Sequence, residues 1–135
     1  MSQSKKIFQD KLISFLLILI LPLLFINCSG SGPENQDQLI GKWNRTDGDY
    51  TLDITEAGPE GLLKVAYLNP NPIHVGRSAW RIHENALQLY VELQDENYPG
   101  SLYTLYYDEA SGMLLGTYFQ AVAKQTFEVQ FSRVP

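Results

Sequence analysis

The chain has 135 residues, of which 10 are Lys or Arg and 15 are Asp or Glu, and its formal net charge at pH 7 is −5. The few basic residues are scattered along the sequence and form no basic face for phosphate binding, so nucleic acid is not an expected partner. The length allows one domain, and the single cysteine leaves no internal disulfide, so packing alone must stabilise the fold.

The N-terminal stretch has the layout of a secretory signal peptide. Lys5, Lys6 and Lys11 precede an apolar run over residues 12–26, which is shorter than the roughly 18 residues that a membrane-spanning helix needs. A polar segment that contains glycine follows at once. The pattern therefore predicts a cleaved leader over residues 1–27.

The only cysteine, Cys28, lies where this leader stops, within the segment from Leu24 to Gly30. The segment resembles the signals of bacterial lipoproteins. The resemblance implies that the thiol of Cys28 is alkylated with diacylglycerol, that the leader is removed, and that the acylated cysteine becomes the N-terminus. The alternatives are an ordinary signal peptide cut near residues 29–31, or a free cysteine without a role.

Ser29 follows the cysteine, in the place where many lipoproteins retained at the inner membrane have Asp. The lipoprotein resemblance thus implies a protein of the cell envelope, anchored by its lipid in the outer membrane of a bacterium and facing the periplasm or the cell surface. Residues 28–38 are rich in Gly, Ser and polar side chains, so we expect the acylated N-terminus and a flexible linker there.

The folded domain is predicted over residues 39–135. Apolar residues repeat there with period two, and turn residues interrupt them about every 10 to 12 positions, as in a small all-β domain. In the second strand, for example, Tyr50, Leu52 and Ile54 share one face. Phe127, Val129 and Phe131 do so in the last strand. The pattern predicts eight strands over residues 39–45, 49–56, 62–68, 73–82, 86–93, 101–107, 113–120 and 125–133.

Short connections between these strands make consecutive strands antiparallel neighbours. The simplest fold is therefore an eight-stranded up-and-down β-barrel, in which closure removes exposed sheet edges. A bent open sheet or a two-sheet β-sandwich is the alternative. A barrel of eight strands encloses either packed side chains or one small ligand.

The first strand begins with Gly41-Lys42-Trp43, and here the chain resembles the lipocalin and avidin group of small β-barrels. In that group a tryptophan at this place plugs one end of the barrel, and an arginine of the last strand packs across it. The resemblance implies these structural roles for Gly41, Trp43 and Arg133, the last through a cation–π contact.

Tyrosine is unusually frequent, with eight in the chain. Such rings fill a small β core well, which is the simpler explanation. The functional explanation is a binding site in which rings supply contact area and phenol groups supply hydrogen bonds. The loops over residues 68–72 and 95–100 would frame this site at one end of the barrel. The candidate ligand-binding residues are Tyr50, Tyr67, Tyr98, Tyr103 and Tyr118.

Residue types that carry catalysis or bind metals form no recognisable pattern. The two histidines, His74 and His83, have no cysteine or carboxylate at metal-ligand spacing, and Asp47 and Asp49 flank a hairpin glycine. We therefore expect no enzyme activity, cofactor or metal. The predicted function is binding of a small, partly apolar ligand, and the alternative is a protein-interaction or inhibitory module of the envelope.

Overall fold

The computed structural model describes residues 35–135. The predicted leader, Cys28 and most of the predicted linker lie outside the described residues. Within the described part of the chain, no helix has the length and apolar character needed to cross a bilayer.

One antiparallel sheet of nine strands accounts for nearly all of this region, which confirms the all-β prediction. Consecutive strands pair with each other except β4 and β5, which are the two edges of the sheet, and the last strand pairs with the first. The strands are β1 Gly41–Arg45, β2 Thr51–Ala57, β3 Leu63–Asn69, β4 Asn71–Ile73, β5 Val75–His83, β6 Ala86–Asp95, β7 Tyr98–Asp108, β8 Met113–Gln120 and β9 Gln125–Arg133.

The sheet curls into a nearly closed barrel. The strands of the sheet follow the order β4, β3, β2, β1, β9, β8, β7, β6, β5. The two edges of the sheet approach each other between the start of β3 and the middle of β5. Leu62 forms an isolated antiparallel bridge with Ala79, and the hydroxyl of Ser78 donates a hydrogen bond of 2.6 Å to the carbonyl of Leu63. The indole of Trp80 donates another, of 2.7 Å, to the carbonyl of Gly58.

The difference between eight predicted strands and nine observed strands lies at this closure. The predicted fourth strand over residues 73–82 is interrupted at His74, where the chain changes partner from β3 to β6. The predicted loop over residues 68–72 is instead a tight hairpin around Pro70, and Pro72 lies inside β4. Because β4 is at the end of the sheet order, the missing N–H of Pro72 is tolerated there.

The second predicted loop, over residues 95–100, is also mostly strand. β6 continues to Asp95 and β7 begins at Tyr98, so only two residues connect them. Pro99 pairs with Gln94 next to a shift in register between Leu93 and Gln94, where the ladder is irregular and a proline fits.

The period-two pattern predicts the buried face of most strands correctly. Leu52 and Ile54 of β2 and the alternate residues of β6 are almost fully buried, and so are Val129 and Phe131 of β9. Phe127 was predicted on the same buried face but is 42% exposed. It lies opposite Tyr118 near the β8–β9 turn, where the barrel opens to solvent.

The two ends of the barrel differ in composition. We call the end with the β1–β2, β3–β4, β6–β7 and β8–β9 turns the tyrosine end, and the opposite end the tryptophan end. The chain enters at the tryptophan end through a 3₁₀ helix, Gln36–Leu39, so ordered structure begins before the predicted boundary at Leu39. The side chain of Leu39 is fully buried, and its carbonyl accepts a hydrogen bond of 2.9 Å from the indole of Trp43.

Trp43 is fully buried at this end, and the guanidinium carbon of Arg133 lies 4.1 Å from the centroid of its ring. Arg133 also donates hydrogen bonds to the carbonyls of Ile40, at 2.5 Å, and Gln38. Gly41 has a φ of 136°, and a Cβ atom there would lie 2.5 Å from a terminal nitrogen of Arg133. The glycine is therefore needed both for the backbone conformation and for the space that the arginine occupies.

We predict that Trp43→Ala lowers the free energy of unfolding by about 3–5 kcal/mol, because it removes a fully buried ring and leaves a cavity. Urea unfolding followed by circular dichroism measures this loss. Phe119→Ala is the matched control, since that ring is 38% exposed on the outside of β8, and we expect it to cost less than about 1 kcal/mol. Equal losses in the two variants would show that Trp43 does not anchor this end.

Candidate functional site

Four of the five candidate tyrosines pack against one another inside the tyrosine end. The ring centroids of Tyr103 and Tyr118 are 4.5 Å apart, those of Tyr67 and Tyr103 are 5.5 Å apart, and Tyr50 stacks on Tyr67 at 6.5 Å. We call these four rings the tyrosine layer. Tyr67 and Tyr103 are almost completely buried, so the layer fills the interior of the barrel at this level.

The fifth candidate, Tyr98, stands at the edge of the layer. Its phenol oxygen accepts a hydrogen bond of 2.6 Å from the side-chain amide of Asn69, which links the start of β7 to the end of β3. The backbone N–H of His74 donates to the carboxylate of Asp95 at 3.3 Å. These contacts bring the two predicted framing segments together at one end of the barrel, as the alternation of strand directions predicts.

Arg45 completes this site, although the sequence analysis did not select it. Its guanidinium carbon lies 4.6 Å from the ring centroid of Tyr50 and 5.8 Å from that of Tyr118, and it donates a hydrogen bond of 3.3 Å to the phenol of Tyr103. Its side chain is only 11% exposed. The signal was present in the sequence, because Arg45 follows the buried Trp43 by two positions and therefore points to the same face.

Asp47, in the turn after β1, pairs with Arg45 through both carboxylate oxygens. The Nε of Arg45 donates to one oxygen at 2.5 Å and an Nη donates to the other at 2.8 Å. These hydrogen bonds lower the pKa of the Asp47 carboxyl below its usual value. Burial disfavours the charge of Arg45, but the hydrogen bonds to Asp47 and Tyr103 outweigh it, so the pKa of Arg45 is raised.

Burial stabilises the neutral form of three phenol groups of the layer, those of Tyr67, Tyr103 and Tyr118, and raises their pKa values. Tyr67 and Tyr103 share a hydrogen bond of 3.0 Å, and burial raises the pKa of Tyr103 to about 12 despite the hydrogen bonds from Tyr67 and Arg45. Burial also raises the pKa of Tyr67 and of Tyr118, and the neighbouring phenol of Tyr98 adds to both effects. The layer therefore offers hydrogen-bonding phenols and aromatic faces at neutral pH.

A cleft of about 510 Å³ opens beside Arg45, between the β1–β2 and β3–β4 turns. Its lining is mostly polar. A second cleft, of about 600 Å³, lies on the outer face of β5, β6 and β7, away from the tyrosine layer. The cleft beside Arg45 is lined by Asn44, Arg45, Thr46, Gly48, Asp49, Thr51, Leu68 and Pro70.

The remaining candidates for chemistry are dispersed. Among residues 35–135, no three His, Cys, Asp or Glu side chains gather closely enough to hold a metal ion. His83 faces Tyr106 at 6.1 Å between ring centroids, and its Nδ1 atom is buried without a hydrogen-bond partner. What the tyrosine end provides is stacking, hydrogen bonding and ion pairing, which are the interactions of a binding site.

Comparison with known proteins does not add to this description. No family model, no curated protein and no solved structure matches the chain. The function of the chain is therefore inferred from its own residues.

We predict that stability falls as the pH rises from about 10 to about 12. In the unfolded chain a tyrosine ionises near its usual pKa of 10.0, whereas Tyr103 in the folded protein holds its proton until about pH 12. The unfolded state therefore loses protons first, and about 2–3 kcal/mol of stability is lost across this interval for a shift of that size. Urea midpoints measured between pH 8 and pH 12 test this.

Tyr103→Phe should reduce this alkaline loss, because the variant has no phenol to ionise at that position, and the part that remains comes from Tyr67 and Tyr118, whose pKa values are also raised. Tyr106→Phe is the matched control, since it removes a phenol from outside the layer, and we expect it to keep the alkaline loss. Identical pH profiles for the wild type and the Tyr103 variant would contradict the prediction.

Proposed function

We propose that the protein is a lipid-tethered binding protein of the bacterial cell envelope, which captures a small, partly apolar ligand at the tyrosine end of its barrel. The observation that carries the proposal is the packing of the tyrosine layer around Arg45, a residue that also lines a polar cleft at this end. Ligand sites typically combine aromatic area with a few polar groups that fix the orientation, and this end supplies both.

The ligand site that we propose is shallow. Tyr67 and Tyr103 are buried against each other and against Phe131, so side chains occupy the centre of the barrel. The cleft that Arg45 lines opens to solvent between the β1–β2 and β3–β4 turns. The resemblance to the lipocalin and avidin group supports a single small ligand, but this proposal moves that ligand from the barrel interior to its mouth.

A second candidate function is docking to an envelope protein, and one surface favours it. The tip of the β8–β9 hairpin exposes Val122 at 65%, Phe127 at 42% and Phe119 at 38%. Val122 lies in the turn, Phe119 on the outer face of β8 and Phe127 on the inner face of β9, so the hairpin tip exposes apolar side chains on both of its faces at the tyrosine end. Clustered exposed apolar side chains often mark sites of protein interaction.

The tether that we propose follows from the lipoprotein resemblance. Asn35, the first residue of the described domain, is seven positions after Cys28, and an extended chain of seven steps spans at most about 25 Å. An acyl group on Cys28 would hold the tryptophan end close to the membrane surface. Two or more acyl chains give stable anchoring, whereas one chain alone binds reversibly.

The ligand is tested by native mass spectrometry of the full processed protein, purified from its own host in mild detergent so that a resident molecule stays bound. We expect a reproducible extra mass below about 1,000 Da, as for ligands that fit a cleft of ordinary size. Arg45→Gln should lose this mass, while Arg81→Gln, a matched change on the outer face, should keep it. A bare mass together with a co-purifying protein would favour the docking function instead.

The anchor is tested by Cys28→Ala in the host. We expect this variant to lose incorporation of labelled fatty acid and to accumulate as unprocessed precursor, because the thiol that receives the lipid is absent. Ser29→Ala is the control and should be processed normally. Membrane attachment and processing that survive in the Cys28 variant would show that the chain is not a lipoprotein.

A further inference from the structure

The outer face of the barrel carries a cleft that the proposed function does not use. Its volume is about 600 Å³, and apolar atoms form most of its walls. We call it the outer cleft. Protein pockets that bind small molecules have this size and combine apolar surface with a few polar groups. Its lining includes Gly76, Arg77, Ala79, Tyr90, Glu92 and Leu102.

Small residues of β5 form the floor of the outer cleft. Ala79 lies opposite Tyr90 in the row that faces outward, where a solvent-facing strand ordinarily carries a longer polar side chain. Gly76 is the extra residue at the register shift between Val75 and Arg77, and a Cβ atom there would overlap the side chain of Gln94. The space above this part of β5 is therefore open.

The wall nearer the tyrosine end is polar, and its side chains are fixed by hydrogen bonds. Nε and an Nη of Arg77 donate to one carboxylate oxygen of Glu92 at 2.8 and 2.5 Å, and the amide of Gln94 donates to the other at 2.6 Å. The bonds from Gln94 and Arg77 lower the pKa of the Glu92 carboxyl, so it is ionised at neutral pH. The side chain of Glu92 is 18% exposed and that of Arg77 83%.

The wall nearer the tryptophan end is the ring of Tyr90. Its hydroxyl donates a hydrogen bond of 2.6 Å to the side chain of Gln88, which is 2% exposed, so the ring is held in place. The guanidinium carbon of Arg81 lies 5.1 Å from the ring centroid, and Arg81 is in register with Gln88, away from Glu92. The side of the ring towards Glu92 therefore remains open to the cleft.

The charges in this lining select against an ionic ligand. Arg77 and Glu92 are the charged groups of the lining, and they neutralise each other. Arg81 lies outside the lining and is exposed, so water and salt screen its charge. An anion or a cation would thus find no unpaired opposite charge in the cleft.

A wholly apolar ligand does not fit either. It would remove water from the pair of Arg77 and Glu92 without replacing the lost hydrogen bonds, which is costly. Two bonds to Glu92 leave three N–H donors of Arg77 free, and the carboxylate oxygen that Gln94 contacts has a second lone pair. A ligand that satisfies these groups must both donate and accept hydrogen bonds.

We propose that the outer cleft is a binding site for a neutral saccharide. The C–H face of a pyranose ring lies against Tyr90 and Leu102, and two adjacent hydroxyl groups bridge Arg77 and Glu92, one as acceptor and the other as donor. A saccharide combines the two properties that the lining requires, because it is uncharged and has both an apolar face and paired hydroxyls. The site is separate from the tyrosine end and does not depend on the function proposed there.

The experiment titrates the full processed protein with maltotriose, cellotriose and chitotriose, in a detergent whose headgroup contains no sugar. Nuclear magnetic resonance of the Nε–H group of Arg77 and of the rings of Tyr90 and Tyr50 shows where each probe binds. We expect at least one trisaccharide to shift the signals of Arg77 and Tyr90, but not those of Tyr50, with a Kd below about 1 mM. Benzyl alcohol, which has a ring but no paired hydroxyls, should bind at least about tenfold more weakly.

One pair of variants tests the location of the site. Ala79→Leu should abolish the shifts at Arg77 and Tyr90, because the longer side chain fills the floor of the cleft. Thr117→Leu is the matched control, since it adds an apolar side chain at an exposed position on the outer face of β8, and it should leave binding unchanged. Circular dichroism of both variants verifies that they are folded.

A second set of variants tests the contacts. Tyr90→Phe keeps the ring and should change the affinity by no more than about twofold, whereas Tyr90→Leu should weaken binding about tenfold by removing the aromatic face. Arg77→Lys keeps the positive charge beside Glu92 but lacks the planar set of donors, so it should also weaken binding about tenfold.

Three results would overturn the inference. The first is the absence of shifts at Arg77 and Tyr90 with all three trisaccharides. The second is equal binding of benzyl alcohol and the trisaccharides, or binding that survives Ala79→Leu, which would show apolar adhesion elsewhere on the surface. The third is a set of shifts at Tyr50 instead, which would place the saccharide at the tyrosine end and so support the function proposed there while refuting this site.

Discussion

An arginine lies against an aromatic ring at each end of the barrel, and these two contacts close a core that the strands alone would leave open. Arg133 covers Trp43 at the end where the chain enters, and Arg45 covers Tyr50 at the other end. In both places the cation binds the aromatic face while its N–H groups bond to carbonyl or carboxylate oxygens. The rings are thereby shielded from water without burying an unpaired charge, which would be costly.

The two closures differ in the groups that accept hydrogen bonds from the arginine. Arg133 donates to backbone carbonyls, which are fixed by the chain entering the first strand. Arg45 donates to the side chain of Asp47, which is more than half exposed in a turn. Backbone partners cannot leave without unfolding the segment, whereas an exposed side chain in a turn can move by changing its rotamer.

The strand pattern could be predicted from sequence because it depends on local alternation, and the positions of Leu52, Ile54 and Phe131 follow from it. The closure of the barrel could not be predicted from sequence. The change of strand partner at His74 and the bridge from Leu62 to Ala79 depend on how far the whole sheet curls. The loops predicted over residues 68–72 and 95–100 are mostly strand, because Pro72 lies in the edge strand β4 and Pro99 lies beside a register shift, where proline is tolerated. Arg45 was missed for a different reason: charge counted over the sequence does not show that one basic residue points inward.

The arrangement of the two ends also bears on how the protein would work if it is anchored as proposed. Because the chain enters at the tryptophan end, an acyl group on Cys28 would bring that end towards the membrane and leave the tyrosine end facing away from it. Arg45, the cleft beside it and the apolar hairpin tip around Val122 would then all be accessible from the aqueous side. The ligand site and the docking surface that we propose would then lie at the same end of the barrel, facing the aqueous phase.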